Sequence, residues 1–411
     1  MRRSMAQGLS GETPGSGVTV DCAAVDFDLS ADQQALRDAA ATLLDRLAGQ
    51  DALRARVGRG TVVGTLPGAG PAGGDDAGAD AARGYDEAVW AAMTDQGWLA
   101  LEVPHDEDGL GLGMVEVAVL CEQIGRRLVA VPFLPSVLAL GALSTTEARA
   151  DAATKEWRDA LAEGSSVGCV ALAPAGAIVV DAAGPDGTPR LHGTTPPTTF
   201  APSADVAVVV VPGAVYAVDL RAEGRPDAVP AMDRTRELGV LTFEASPAVA
   251  IGGGEAAELV LDRAATLASA EMLGAADRVL SMSVDYAKDR VQFGKPIGSF
   301  QAVKHMLADA LVDVEGMRST VYYAAWCAAA GDPDRALAAS MAKAWCSDAS
   351  RRVTGTGLQV HGGIGFTWEH DMHLYVKRAQ LDQVSYGDAA FHRDRIATLL
   401  RARLASGQGL A

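Results

Sequence analysis

Positive charge is scarce in this 411-residue sequence: 35 Lys+Arg stand against 52 Asp+Glu, a formal net charge of −17. Such a balance disfavours general affinity for nucleic acid or an anionic membrane surface. Long apolar runs are missing too. A spanning helix needs ~18 uninterrupted apolar residues, and the longest candidate, Leu128 to Leu143, carries Pro132 and Pro135. Cysteine is sparse and scattered: Cys22, Cys121, Cys169, Cys327 and Cys346. An odd, dispersed set suits reduced thiols in a cytoplasm better than a disulfide framework. Arg2 and Arg3 have no apolar core behind them, which argues against a signal peptide. No P-loop, no GxGxxG after a strand and no Ser-His-Asp signature is present. Glu369-His370-Asp371-Met372-His373 has metal-ligand residue types, but no Cys pair or third His stands nearby. It reads as solvated helix residues, and no metal site is expected.

What is present is a chain of 42.3 kDa, long enough for two or three domains and for burial of roughly 75% of its unfolded surface. Residues 1–25 are Gly/Ser/Thr-rich without periodicity and read as a mobile tail. Ser30 and Gln33 then form a capping-box pair, followed by Leu36, Ala40, Leu43 and Leu47 at helical spacing. Residues 58–84 turn to Gly, Ala, Pro and Asp, which build no core, and read as a flexible insertion. Helical spacing returns around Trp90 and Met93 and at Val117, Leu120, Ile124 and Leu128, so residues 26–150 form an all-α domain. Over 151–262 the period changes. The run Val206 to Val211 and the alternation Leu241, Phe243, Ala245 read as strands separated by Pro/Gly turns, an antiparallel barrel or sandwich. From 263 to 411 long amphipathic patterns return, with Leu273, Leu280 and Val284 on one face. Val303, Leu307, Leu311, Val314 and Val321 share another, then Leu337, Met341 and Trp345. This reads as a four-helix-type bundle, with its Met and Trp positions in the core. The fold class is therefore α+β in three parts, α then β then α.

Two texts carry chemistry. Asp289-Arg290-Val291-Gln292-Phe293-Gly294-Lys295-Pro296-Ile297-Gly298-Ser299-Phe300-Gln301 places an arginine, a phenylalanine and glutamines around a Gly/Pro loop between helices. Arginine there can hold a phosphate and a glutamine amide can read an adenine or ribose edge; a plain helix–helix connector with a surface arginine fits equally well. Gln359-Val360-His361-Gly362-Gly363-Ile364-Gly365-Phe366 follows a long helix and lets backbone N–H groups approach a pyrophosphate. A Gly C-cap ending the helix is the alternative.

Together with Gln96-Gly97-Trp98, Leu101-Glu102-Val103-Pro104 and Asp108-Gly109-Leu110-Gly111-Leu112-Gly113, these texts make residues 26–411 resemble the acyl-CoA dehydrogenase family of flavoproteins. The resemblance implies FAD lying between one subunit's β and C-terminal domains and a neighbouring subunit's C-terminal domain. The neighbour's contribution would fall on Arg290, Gln292, Phe293, Gln301, Gln359, Gly362 and Gly363. It also implies a carboxylate that takes an α proton from an acyl-CoA thioester while a β hydride moves to the flavin. Electrons then pass to an electron-transfer flavoprotein.

The catalytic half departs from that pattern. The family's two base positions fall here on Tyr386, in Ser385-Tyr386-Gly387-Asp388, and on Ala264, with Ala265 at the adjoining arginine position. A phenol with a pKa near ~10 replaces a carboxylate poorly. Asp388, two residues on, is the candidate substitute; Glu271 reads as a satisfied structural acid in an apolar helix stretch and Asp382 as a solvated helix residue. The family's flavin-ring loop becomes Ala171-Leu172-Ala173-Pro174-Ala175-Gly176-Ala177, without hydroxyls or acids. An intact neighbour half beside a missing catalytic half resembles the α2β2 acyl-CoA dehydrogenases of actinobacteria that act on steroid side-chain CoA thioesters. That implies a homologous catalytic partner subunit. A self-sufficient homotetramer using Asp388, and a scaffold without flavin, are the alternatives.

Overall fold

The structure, a computed structural model, describes residues 29–59, 84–149, 152–181, 184 and 187–407. The tail expected over 1–25 lies outside these residues, as does most of the insertion expected over 58–84; Gly58 and Arg59 close a helix.

The N-terminal part is helical: α1 (Ala31–Leu47), α2 (Gln50–Arg59), α3 (Glu87–Asp95), α4 (Met114–Arg126), α5 (Phe133–Leu143), α6 (Thr146–Arg149) and α7 (Ala152–Ala162). The Ser30–Gln33 capping box forms as the residues predict, satisfying two amide donors at the start of α1. The apolar run after Leu128 becomes α5, buried along nearly its whole length. Its prolines do not break it because Pro132 is the cap and Pro135 sits in the first turn, where a missing N–H costs nothing.

The middle region follows: β1 (Gly168–Leu172), β2 (Ile178–Asp181), β3 (Arg190–Thr194), β4 (Thr198–Thr199), β5 (Val206–Val211), β6 (Ala214–Asp219), α8 (Leu220–Glu223), β7 (Ala228–Val229), β8 (Leu238–Gly239), β9 (Thr242–Pro247) and β10 (Val249–Gly253). These strands form three separate sheets, β1-β5-β6-β10, β2-β3-β9 and β4-β8-β7, rather than one closed barrel. One pair is parallel, with Gly168 opposite Val206 and Leu172 opposite Val210, against the antiparallel expectation. The chain between β1 and β5 passes through other strands, and only such a crossover allows two strands to run the same way. All six residues of β5 are buried, so its apolar run is continuous because both faces are covered. In β9 the expected alternation fails at Ala245. That residue has φ +59° and is the extra residue of a bulge, so Ser246 takes the buried face instead.

The last part is a bundle of α9 (Gly254–Asp289), α10 (Gln301–Ala330), α11 (Arg335–His361), α12 (Met372–Val384) and α13 (Ala389–Ala405), with a small hairpin of β11 (Val291–Gln292) and β12 (Lys295–Pro296) between α9 and α10. Leu311, Met341 and Trp345, expected in its core, are exposed. Small residues carry the inner face of α11 instead: Ala338, Ala342, Cys346, Ala349 and Val353. Trp345 lies across Gly316 of α10 and donates its indole N–H to the Asp313 carbonyl at 3.3 Å. The tightest seam is α4 on α9. A Cβ at Gly125 would collide with the Glu271 carbonyl, and one at Gly274 with the Glu122 carbonyl. No helix among the described residues is long and apolar enough to cross a membrane.

Candidate functional site

Two loops distant in sequence meet at one end of the bundle. The stacked rings of Tyr286, near the end of α9, and His361, the last residue of α11, are 4.6 Å apart and hold the two helix ends together. Beyond α9, Val291 pairs with Pro296 and Gln292 with Lys295, leaving Phe293 and Gly294 as a two-residue turn. Both have positive φ, +53° and +77°, the combination that a tight hairpin with right-handed strand twist requires. Glycine tolerates this freely, whereas phenylalanine adopts it only at a cost in strain. Phe293 is 92% exposed.

Arg290, Gln292, Gln301, Gln359, Gly362 and Gly363 are exposed as well. Among the described residues Arg290 has no ion-pair partner, so its guanidinium donors remain available. Gln301 opens α10, and its side-chain amide lies 3.4 Å from the His305 ring nitrogen. Gln292 is turned onto its own hairpin, donating to the Val291 carbonyl at 2.8 Å. Gly362 adopts φ +60° and ψ −141°, a conformation essentially restricted to glycine, and nothing lies within 4 Å of a Cβ placed on Gly363. The set thus forms an outward-facing array of one guanidinium, amides and open backbone. Guanidinium forks, amides and open backbone N–H groups are the donors that phosphate and sugar oxygens accept from.

The opposite junction, between the sheet region and the bundle, is filled from within. Arg236, from the segment between β7 and β8, forms ion pairs with Glu271 of α9 and, at 2.8 Å, with Asp382 of α12. Asp382 is therefore buried rather than solvated, because the chain folds a guanidinium from 146 residues away onto it. Glu271 is the satisfied structural acid the sequence suggests. A second pair lies alongside. Arg378, fully buried, donates to Asp233 at 2.7 Å, and Asp233 accepts from the Thr235 amide and hydroxyl at 2.8 and 2.6 Å. Two guanidinium groups thus face three carboxylates. Burial pushes the Asp382 carboxyl up to about 6 despite Arg236 and Arg378, while the paired carboxylates hold Arg236 charged.

The expected base positions belong to this junction. Ala264 is fully buried in α9. Tyr386 has φ +59°, and its hydroxyl lies buried beside Thr199 without completing a hydrogen bond. Desolvation raises that phenol further above its ordinary range, so it is no base near neutral pH. The loop carrying it is held rigidly. Lys343, completely buried on α11, donates to the Gln383 and Gly387 carbonyls at 3.0 and 2.8 Å, and the His392 ring approaches the Tyr386 carbonyl at 3.0 Å. Burial lowers the Lys343 ammonium to about 8. Asp388 sits outside, exposed, accepting from the Phe391 amide at 2.8 Å as the cap of α13. The turn after β1 presents no hydroxyl, as its residues predict.

His370 and His373 do not form a solvated helix face. His373 packs on Trp368, 4.7 Å between rings, and His370 lies 4.5 Å from His361 and accepts from the Met372 amide. Burial lowers both imidazoles. Among the described residues no three His, Cys, Asp or Glu side chains are grouped to hold a metal ion. Arg236, Lys343, Arg378 and His392 carry no signal in the sequence, because each acts on a partner brought to it by tertiary packing.

Comparison with known proteins places two family models on the chain: the acyl-CoA dehydrogenase C-terminal domain over residues 252–400 and the N-terminal domain over residues 75–165. Acyl-CoA dehydrogenase IpdE2 of Mycobacterium tuberculosis is 36% identical over 299 residues, 72% of this chain and 81% of the relative. Acyl-CoA dehydrogenase FadE27 of the same organism is 33% identical over 332 residues, 76% of this chain and 87% of the relative. Among solved structures, a chain of the ChsE4-ChsE5 complex from Mycobacterium tuberculosis superposes with a TM-score of 0.78 at 27% identity, covering 92% of this chain and 99% of that one. A chain of the Tcur3481-Tcur3483 steroid ACAD matches equally, with a TM-score of 0.78 at 27% identity over 91% and 99%.

Proposed function

This chain belongs to the acyl-CoA dehydrogenase family, and we propose that it is the subunit that completes the FAD site of a homologous catalytic partner, in an α2β2 assembly. The observation that carries the reading is the asymmetry between its two ends. The array of Arg290, Phe293, Gln301, Gln359, Gly362 and Gly363 faces outward, whereas the junction where a flavin ring would lie is filled by Arg236, Glu271 and Asp382. The closed α4–α9 seam leaves no space for an acyl chain between those helices.

In this reading Arg290 engages a phosphate, its planar fork suiting phosphate oxygens. Gln301 and Gln359 donate and accept at the nucleotide's polar edges, Gly362 and Gly363 let the backbone approach, and Phe293 covers an apolar face. FAD, when bound across the two subunits, supplies the electron acceptor for α,β-desaturation of an acyl-CoA. The catalytic carboxylate and the acyl pocket belong to the partner. The naming of a solved relative as a steroid ACAD supports a bulky steroid side-chain thioester as the substrate class. Electron-transfer flavoprotein is the onward acceptor that the family implies. Cys121, Cys169, Cys327 and Cys346 are free and buried, which suits action in the reducing cytoplasm.

The test is co-expression with a homologous acyl-CoA dehydrogenase chain that carries the catalytic carboxylate and the flavin-ring loop this chain lacks. The expected product is a yellow tetramer with one FAD per pair of unlike chains. Arg290→Ala with Gln301→Ala is expected to remove most of the flavin while leaving the tetramer intact by light scattering. A yellow assembly of this chain alone, with one FAD per chain and full dehydrogenase activity, rejects the proposal.

A further inference from the structure

The C-terminal end of α4 meets α1, α2, α9 and the start of α12 around a cavity of about 310 Å³. Its walls include the charged side chains of Arg126, Arg127, Arg278, Asp45 and Asp371 and the polar ones of Gln50 and Tyr375. Three arginines converging on one cavity are unusual in a chain with net charge −17.

Both acids in the wall are already neutralised. Asp45 is paired with Arg127 at 2.6 Å, and Asp371 with Arg54 at 2.8 Å, from outside the cavity. Arg126 is paired with Asp277. Among the described residues Arg278 forms no ion pair of its own: it hydrogen-bonds to the phenol oxygen of Tyr375, whose proton is donated to the Arg126 carbonyl at 2.8 Å, and it shares Asp45 electrostatically with Arg127. One half-buried guanidinium is left without an ion pair beside two others. The crowding is felt by Arg126, which burial and the charges of Arg278 and Arg127 hold below its ordinary range. Helix-dipole complementarity accounts for cations at the end of α4. It does not account for Arg278, which projects from within the 36-residue α9.

We propose that this cavity is a binding site for a phosphate group, either the inorganic ion or the monoester of a small metabolite. A multiply charged oxyanion offers acceptors to several planar forks at once and relieves their mutual repulsion. The volume exceeds that of the bare ion and leaves room for an attached pentose-sized group. The site is distinct from the exposed Arg290 array, and its occupancy does not depend on flavin.

The experiment is calorimetric titration of the full chain at constant ionic strength with inorganic phosphate, and separately with adenosine monophosphate. Saturable binding of at least one at a single site is expected, weakened about ten-fold or more in Arg278→Gln and in Arg127→Gln. Tighter binding of the nucleotide identifies a monoester site; binding of phosphate with the nucleotide excluded identifies a site for the ion. Arg278→Lys, which keeps the charge and loses the fork, is expected to fall between the wild type and Arg278→Gln. Absence of saturable binding, an equal response to chloride, or affinity unchanged in both glutamine variants overturns the proposal.

Discussion

The carboxylate of Asp388 lies two residues from the expected base position, yet it accepts a hydrogen bond from the Phe391 amide on the outside of the bundle. A side chain serving as an N-cap satisfies one of the orphan amides of a helix, and its loss costs ~0.5–2 kcal/mol of stability. Asp388→Ala is therefore expected to lower the urea midpoint by a corresponding amount while flavin content and dehydrogenase activity of the co-expressed complex stay unchanged. A collapse of activity at unchanged stability would return Asp388 to the chemistry. Its neighbour Tyr386 illustrates what local text leaves open. The Tyr-for-acid exchange is visible in the sequence, but the +59° backbone, the buried hydroxyl and the grip of Lys343 and His392 on its loop are not. Those partners lie on α11 and α13, and no spacing rule connects them to the loop.

At the scale of elements, the seam between α4 and α9 depends on two glycines. An α-helix approaches another at 8–10 Å according to the side chains at the contact, and glycine permits the nearest approach. The carbonyls of Glu122 and Glu271 occupy the positions that a Cβ would take, and backbone cannot step aside as a flexible side chain can. Gly274→Ala is expected to destabilise the chain by at least the ~1–3 kcal/mol typical of overpacking. Gly355→Ala on α11, which faces open space, is expected to be neutral or stabilising in the isolated chain. Equal unfolding midpoints for the two variants would contradict the close-seam account. The α–β–α order and the helices at α1, α3 and α4 were legible from periodicity; α5 was not, because its prolines at the cap and in the first turn read as interruptions of an apolar run. The burial of α11 was not, because its large residues Met341 and Trp345 face outward while alanines pack inward. A hydrophobic pattern marks an apolar face without saying what covers it, and here Trp345 lies at the surface on Gly316 of α10, beneath the Arg352 guanidinium.

Across the whole molecule, the ionic network of Arg236, Glu271 and Asp382 ties the sheet region to the bundle. Asp382 is raised from 3.8 to about 6, so the folded state holds this proton more tightly than the unfolded chain. Its contribution to stability is fully present below pH ~3.8 and is lost as pH rises through about 6. The buried imidazoles of His361 and His392 act in the opposite sense: both are lowered, so they destabilise the fold as pH falls. Comparing wild type with Asp382→Asn separates the two contributions. The asparagine variant is expected to lose stability relative to wild type on acidification from pH 7 to pH 5, measured by thermal unfolding. A parallel pH dependence for both proteins would show that Asp382 does not take up the proton.

The amino-acid sequence by itself determined the α–β–α order, the capped first helix and the family resemblance, and through that resemblance the expectation of one half of a cofactor site without the other. These rest on local periodicity, on turn chemistry and on motifs within a dozen or so residues, all of which survive without knowledge of the fold. Tertiary structure alone decided what fills the lost half. Arg236 reaches Glu271 and Asp382 across separations of 35 and 146 residues, and among the described residues Arg278 forms no ion pair because the nearby acids Asp45, Asp277 and Asp371 are paired by packing with other arginines. Charge balance inside a cavity depends on which groups folding brings within hydrogen-bond reach, and composition along the chain carries no record of that.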